Sequence, residues 1–145
     1  MRVCILCIGN RDGGDDAVGP FIADHLDSTE DRKIIDAGTV PENFTGVIKE
    51  IKPDKLIIID AVDMGLSPGE IRVVPKEKIG SMHISTHGIP VSVFIQYLEQ
   101  YLRSILFIGI QPKTMDGSLT SELQAAGIRL IKKIEQNTYD SILIL

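Results

Sequence analysis

Two carboxylates stand where predicted strands give way to loops, and a histidine lies in a later turn, at positions from which the three could act together. Asp16 follows an apolar run and a glycine-rich turn near the start of the chain. Asp60 directly ends a second apolar run, and His87 lies in a third, turn-forming stretch. Because parallel strands present their carboxyl ends at one edge of a sheet, we expect these side chains to arrive at the same edge.

The chemistry open to such a set is metal binding or carboxylate catalysis. Two carboxylates and one imidazole on three separate loops would form an open coordination sphere, whereas a closed structural zinc site has four ligands. Neutral imidazole is a common ligand for borderline metals such as nickel. Neighbouring carboxylates also repel each other unless a cation or a proton lies between them.

Each of these residues also has a plainer interpretation. Asp15 or Asp16 could cap the helix that follows, which would explain one aspartate but not both. Asp60 could accept hydrogen bonds from amides of the next loop. A single histidine in a loop, such as His87, is more often structural or solvated than a ligand.

Other motifs are excluded by their spacing. The turn from Gly9 to Gly14 matches neither G-x-G-x-x-G nor a P-loop, since Asp15 and Asp16 stand where a P-loop has lysine and a hydroxyl residue. His83 and His87 have H-x-x-x-H spacing, but the residues between them are poor helix formers and no glutamate follows His83. No G-x-S-x-G elbow is present. Hydrolysis would therefore depend on carboxylates, a metal or both.

Cys4 and Cys7 have the spacing of a C-x-x-C motif but are not expected to act as one. Both fall within one predicted strand, where residues three apart point to opposite faces of the sheet. We therefore expect two buried apolar cysteines, not a chelate or a disulfide.

Composition and length predict one globular domain over residues 1–145. The chain is 43% hydrophobic and 24% charged, close to the average for such domains. Its net charge of −5 argues weakly against a nucleic-acid partner. No apolar run reaches the ~20 residues that span a bilayer, and the N-terminus has no signal-peptide pattern. We therefore expect a cytoplasmic protein without membrane insertion.

Strands and helices alternate along the chain. This order predicts an α/β fold, a three-layer sandwich with a twisted, mostly parallel sheet, one antiparallel or edge strand, and helices on both faces. A final helix is expected to bury Leu123, Ile128, Leu130 and Ile131. The predicted strands are 3–8, 33–36, 56–60, 70–74 and 105–110, and the predicted helices are 16–26, 41–51, 90–102 and 121–135. The stretch 76–85 is left unassigned, and the apolar end 142–145 is expected to pack back on the domain or form a short strand.

With these motifs in their order and spacing, the sequence resembles the hydrogenase maturation endopeptidases. The resemblance covers residues 2–112. The matching pieces are Ile8-Gly9-Asn10, Gly14-Asp15-Asp16-Ala17-Val18-Gly19-Pro20, Ile35-Asp36-Ala37-Gly38, Pro41-Glu42-Asn43, Ile59-Asp60-Ala61-Val62-Asp63-Met64-Gly65, Pro68-Gly69-Glu70-Ile71-Arg72, Thr86-His87-Gly88-Ile89-Pro90 and Phe107-Ile108-Gly109-Ile110-Gln111-Pro112.

The resemblance implies a function. Members of that family remove the C-terminal extension from the large-subunit precursor of nickel–iron hydrogenases. By motif, Asp16, Asp60 and His87 would contact nickel, and Asp36 would be tied to substrate choice and cleavage. The nickel would be carried by the precursor, and no organic cofactor is expected. Whether the metal polarises the carbonyl, activates water or only marks the substrate is left open, as is a carboxylate acting as general base.

Two rival functions are kept beside this one. The first is a nickel-dependent maturation chaperone that docks the precursor without cutting it. The second is a peptidase of the same fold with another protein substrate. A nucleotide-binding α/β domain is a distant third.

Overall fold

Strands and helices alternate along the chain in the computed structural model, which describes residues 1–80, 83–84 and 88–145. The strands are β1 (Val3–Ile8), β2 (Arg32–Gly38), β3 (Lys55–Asp63), β4 (Ile71–Val73), β5 (His83–Ile84) and β6 (Ile105–Ile110). The α-helices are α1 (Val18–His25), α2 (Thr45–Ile51), α3 (Lys76–Ile79), α4 (Val91–Leu98) and α5 (Ser121–Glu135). Short 3₁₀ turns span Gly14–Ala17, Pro41–Phe44 and Tyr139–Ser141.

The main sheet has the strand order β2-β1-β3-β6-β4. The first four of these strands pair in parallel, and β4 pairs antiparallel with β6. The short β5 pairs antiparallel with the far end of β3. This confirms the predicted mostly parallel α/β sheet with an antiparallel edge strand.

Side-chain alternation along the strands divides the core into two halves. Ile57 and Ile59 of β3 pack with α1 and α5 on one face, whereas Leu56 and Ile58 pack with α2 and α4 on the other. Because both faces are covered by helices, the central strands are apolar at nearly every position. The pattern of uninterrupted apolar runs in the sequence has this physical cause.

The two cysteines follow the same alternation. Cys7 lies in the core half beneath α1 and α5, and Cys4 lies in the opposite half. Both are free and buried, and burial raises the pKa of the Cys4 thiol to about 12. The expectation of two buried apolar cysteines on opposite faces of the sheet, not joined in a disulfide, is confirmed.

The C-terminal residues pair with β4, one of the two edge strands of the main sheet. The amide of Val73 in β4 donates to the carbonyl of Leu143 at 2.8 Å, and the amide of Leu145 donates to the carbonyl of Val73 at 2.9 Å. The predicted return of the apolar tail is thus confirmed, and the tail supplies partners for an edge strand that would otherwise be exposed.

Several predicted boundaries were wrong. The first two helices begin with 3₁₀ turns, α4 ends four residues earlier than expected at Leu98, and the unassigned stretch contains α3 and β5. Ile128 was assigned to the buried face of α5 but is 44% exposed; Ala126 and Ile134 are buried there instead. Within the described ranges, no helix has the length and apolar character needed to cross a membrane.

Candidate active site

The turn after β1 places Asp16 at the carboxyl edge of the sheet. Gly9 has φ +154°, and a Cβ on it would meet the carbonyl oxygen of Asp16 and lie 3.0 Å from Cδ of Pro20. Glycine is therefore needed for the 3₁₀ turn to fold back onto the end of β1. The amide of Asn10 then donates to Oδ2 of Asp16 at 3.0 Å, which fixes the carboxylate while it is only 3% exposed.

Asp15, its neighbour in sequence, has a separate task. Its carboxylate accepts from the amides of Lys113 at 2.7 Å and Thr114 at 3.2 Å. It also accepts from the amide and the hydroxyl of Thr120, both at 2.8 Å. Asp15 therefore fastens the loop between β6 and α5 to the turn after β1. The helix-capping interpretation is wrong for both aspartates, since the residue before α1 is Ala17 and no side chain caps this helix.

Asp60 is the sixth of the nine residues of β3 and is fully buried. Its strand neighbours Ile58 and Val62 point to the core half of α2 and α4, and by alternation Asp60 points there too. Among the residues that the structure describes, neither of its carboxylate oxygens has a hydrogen-bond partner of regular geometry. The nearby amide of Ala61 lowers the pKa of Asp60, but this effect is weaker than the effects that raise it. The expectation that Asp60 bonds to the amides of the following loop is thus not met.

The two carboxylates share one buried environment. Burial raises the pKa of Asp60 well above its ordinary value, and the negative charge of Asp16 raises it further. An ionised carboxylate held without water or a donor is costly. The pair therefore favours whatever neutralises it, which is a proton on Asp60 or a cation beside both groups.

Asp36 ends up in a different place. Asp36 of β2 pairs with Cys7 of β1, and on its other side Cys7 pairs with Ile59 of β3. Strand β1 therefore lies between Asp36 and the strand that carries Asp60. With strands ~4.8 Å apart, this is a lateral distance of roughly 10 Å. Oδ2 of Asp36 accepts from Nη2 of Arg11 at 2.6 Å, and Arg11 also forms a bidentate pair with Asp24.

A cavity opens beside Asp36 at the same edge of the sheet. It has a volume of about 440 Å³ and is bounded by the turn after β1, the end of β2 and the turn Pro41–Phe44. Asn43 and Phe44 form its far wall. The structure thus brings Asp16 and Asp60 together and leaves Asp36 at a separate opening nearby.

The predicted histidine lies outside the described residues. The structure begins again at Gly88, directly after His87. The backbone of His83, the alternative ligand, pairs with Asp63 across β3 and β5. Among the residues that the structure describes, no three histidine, cysteine or acidic side chains cluster as a metal site would require.

Sequence reasoning gave no role to Gln111, although it fixes the loop after β3. Its Oε1 accepts from the amides of Met64 at 2.6 Å and Leu66 at 3.2 Å. Its Nε2 donates to Oδ1 of Asp63 at 3.2 Å. The sequence does show a glutamine directly after an apolar strand, which could have suggested a structural role. Its partners could not be identified from the sequence, because they lie more than forty positions away in the chain.

Comparison with known proteins agrees with this architecture. A family profile described as HycI, hydrogenase maturation protease, matches residues 20–137. The hydrogenase 3 maturation protease of Escherichia coli strain K12 is 40% identical over 115 residues, which cover 77% of this chain and 74% of that protein.

Solved structures give the same result. The solution structure of the endopeptidase HycI from Escherichia coli has a TM-score of 0.90 at 32% identity, covering 100% of this chain and 97% of that one. The crystal structure of a [NiFe] hydrogenase maturation protease HycI from Thermococcus kodakarensis has a TM-score of 0.84 at 31% identity, covering 94% and 92%. With this fold, this buried carboxylate pair and these relatives, the chain belongs to the hydrogenase maturation protease family and is a hydrogenase maturation endopeptidase.

Proposed function

We propose that this endopeptidase removes the C-terminal extension of a nickel–iron hydrogenase large-subunit precursor after nickel has been inserted. Two kinds of observation support the substrate. The chain belongs to the family, and a relative in Thermococcus kodakarensis carries the name [NiFe] hydrogenase maturation protease. The observation that carries the nickel requirement is the burial of Asp16 and Asp60 near each other, where Asp60 has no regular hydrogen bond from the described part of the chain.

In this proposal the nickel belongs to the substrate. Asp16 and Asp60 contact the ion, and His87 supplies the third contact, as its motif predicts. The electrostatic gain is largest when the cation is present, because each carboxylate otherwise faces the charge of the other. A precursor without nickel would offer nothing to offset that repulsion, so the enzyme would bind it less well.

Docking through the metal also fixes the chain to be cut. A substrate held at Asp16 and Asp60 has its scissile bond near the carboxyl edge of the sheet, and fixing that geometry accelerates hydrolysis by lowering its entropic barrier. The chain leaving the metal would pass the cavity beside Asp36. There Asp36 is partly exposed and held by Arg11, so it is placed to contact substrate and influence which chain is accepted.

The test is a cleavage assay read by intact mass. The wild-type enzyme is incubated with nickel-loaded and with nickel-free precursor, beside Asp16→Asn, Asp60→Asn and His87→Ala. Asp12→Asn is the matched control, because Asp12 is an exposed carboxylate in the same turn. We expect a shorter product only from the nickel-loaded precursor, formed by the wild type and the control.

Other outcomes would contradict the proposal in distinguishable ways. A stable complex with the precursor but no shorter chain would indicate a chaperone. Equal cleavage of both precursors would remove the nickel requirement. Wild-type rates in all three site variants would show that the residues are misassigned.

A further inference from the structure

The outer side of α4 is apolar and carries no charge. Val91–Leu98 contains no charged residue, and its exposed residues include Val93 and Tyr97, which lie four positions apart and so on one side of the helix. Exposed Tyr101 continues this row past the end of α4, with its ring centroid 5.4 Å from that of Tyr97. Val93, Tyr97 and Tyr101 form the α4 stripe. A solvated helix normally has charged residues on its outer side, so the stripe is typical of a surface that another protein covers.

Helix α5, which covers the opposite face of the sheet, has the ordinary pattern. It carries charged side chains along its length: Glu122, Arg129, Lys132, Lys133 and Glu135. Its exposed apolar residue Ile128 stands among these charges. The uncharged outer surface is therefore a property of the α4 side of the molecule and does not follow from the composition of the chain.

The two tyrosines of the stripe are held in place by a lysine from α2. Nζ of Lys49 donates to the hydroxyl oxygen of Tyr97 at 2.8 Å. The same nitrogen lies 5.2 Å from the ring centroid of Tyr97 and 4.6 Å from that of Tyr101, within the range of cation–π attraction. Rings that are already ordered lose less entropy when a partner packs against them. Tyrosine is also enriched among the residues that supply most of the binding energy in protein interfaces.

The stripe ends in a basic cavity, although the chain as a whole has a net charge of −5. This cavity of about 410 Å³ is lined by Tyr101 together with Lys52 and Arg103. Neither of these two cations forms an ion pair within the described part of the chain. Asp54 also lines the cavity, but its Oδ2 already accepts the amide of Arg2 at 2.7 Å. A partner that covers the stripe would therefore be favoured by carboxylates beside its apolar patch.

The other end of the stripe lies at the edge of the sheet where the candidate active site is. Helix α4 follows β5, which pairs with Val62 and Asp63 at the carboxyl end of β3. The chain then enters β6, whose first residue Ile105 pairs with Leu56 near the amino end of β3. Helix α4 thus runs from the carboxyl edge of the sheet to its amino edge. A protein that lies over the carboxyl edge is adjacent to the start of α4.

We propose that the α4 stripe and its basic cavity bind the folded body of the hydrogenase large subunit that carries the scissile chain. The contact on that subunit is an apolar patch flanked by carboxylates. A second copy of this chain is the weaker occupant, because it would stand beside the edge that the substrate has to approach. The inference rests on cleavage at the carboxyl edge, as proposed above, but it does not depend on the nickel contact.

The first test separates binding from catalysis in the processing of nickel-loaded precursor. Removing a docking contact should raise KM and leave kcat within about twofold. We expect KM to rise about tenfold or more in Val93→Asp and in Tyr97→Ala. Ile128→Asp is the matched control, because Ile128 is 44% exposed and Val93 is 47% exposed. An unchanged KM in the two stripe variants, or an equal rise in the control, would overturn the proposal.

A charge reversal tests the basic end of the surface. Arg103→Glu should raise KM about threefold to tenfold and reduce its dependence on salt, since the attraction to carboxylates on the substrate is lost. Lys132→Glu makes the same change on α5 and should behave as wild type. If Arg103→Glu also behaves as wild type, the partner brings no carboxylates to this cavity and the proposed chemistry of the partner is wrong.

The second test locates the contact without catalysis. Methyl signals of isotope-labelled enzyme are followed by nuclear magnetic resonance while nickel-free precursor is added. We expect the signals of Val93 and of Ile89, exposed just before α4, to shift or broaden, while those of Ile128 stay fixed. Unchanged Val93 signals at saturating precursor would overturn the proposal. Cleavage of this nickel-free precursor, with KM still raised in Val93→Asp, would contradict only the nickel requirement of the proposed function.

Sedimentation equilibrium of the free enzyme examines the competing occupant. We expect the wild type and Val93→Asp to have the same mass in solution. A wild-type dimer that Val93→Asp dissociates would assign the stripe to a second copy of this chain and overturn the proposal.

Discussion

Asp60 lies close enough to Asp16 for the charge of one carboxylate to raise the pKa of the other inside the protein. Both side chains are almost fully removed from solvent. Two like charges in such a place destabilise the fold unless a proton or a cation accompanies them. Under the proposed function, the two carboxylates that would attract the cation are also the groups that make the free enzyme less stable.

Removing the charge of Asp60 should stabilise the free enzyme. The folded pKa of Asp60 is raised, so the wild type loses stability as pH rises from the unfolded value near 3.8 through the folded value. Asp60→Asn cannot ionise and escapes that loss. We expect its free energy of unfolding at pH 7 to exceed that of wild type by on the order of 1 kcal/mol or more. The gain should vanish below about pH 4.

Thermal unfolding across a pH series measures this directly. Each kcal/mol corresponds to about 2–4 °C in melting temperature for a protein of this size. A variant that melts below wild type at pH 7, in buffer without divalent metal, would show that Asp60 is satisfied in the free protein.

We expect Asp15 to contribute to the free energy of unfolding, whereas Asp16 is proposed to contribute to processing of the substrate. Asp15→Asn replaces an acceptor of four hydrogen bonds by a group that carries its own donors. We expect a loss of about 2–3 kcal/mol in the free energy of unfolding by urea. The exposed control Asp12→Asn should change it by less than about 0.5 kcal/mol.

Hydrogen exchange locates the effect of Asp15. Asp15→Asn keeps one acceptor oxygen, so either the amides of Lys113 and Thr114, which bond to Oδ2, or the amide of Thr120, which bonds to Oδ1, should exchange faster. Unaltered protection of these three amides would mean that other contacts hold the loop to the turn.

Gly9 and Gly46 form a pair of contrasting glycines. Gly9→Ala drives a Cβ into the carbonyl oxygen of Asp16, so we expect destabilisation and loss of processing. Gly46→Ala lies in α2 with nothing within 4 Å of the added Cβ, and should stabilise the helix by about 0.5–1 kcal/mol. Urea unfolding of both variants tests the pair, and similar behaviour would show that the turn does not need glycine.

Local patterns in the sequence were sufficient for most of the fold. The runs in β1, β3 and β6 are apolar because helices cover both faces, and an uninterrupted run of that length is typical of a central parallel strand. The prediction that Cys4 and Cys7 point to opposite faces of the sheet followed from the two-residue period of a strand. The helix Ser121–Glu135 was also predicted with its observed bounds from its apolar spacing, and the structure adds a cap by Thr120.

The role of Asp15 could not be predicted in the same way. The partners of Asp15 lie about a hundred positions further along the chain, so no local sequence pattern predicts them. The two adjacent aspartates were expected at the start of a helix, whereas the structure places both in the 3₁₀ turn Gly14–Ala17.

The most direct test of nickel recognition is anomalous diffraction at the nickel edge. Crystals of the wild type soaked in Ni²⁺ are compared with crystals of Asp16→Asn treated alike. We predict one strong peak between the carboxylates of Asp16 and Asp60 with ligand bonds of ~2 Å, and its loss in the variant. A peak elsewhere on the protein, with nothing between these two carboxylates, would contradict nickel recognition by this pair.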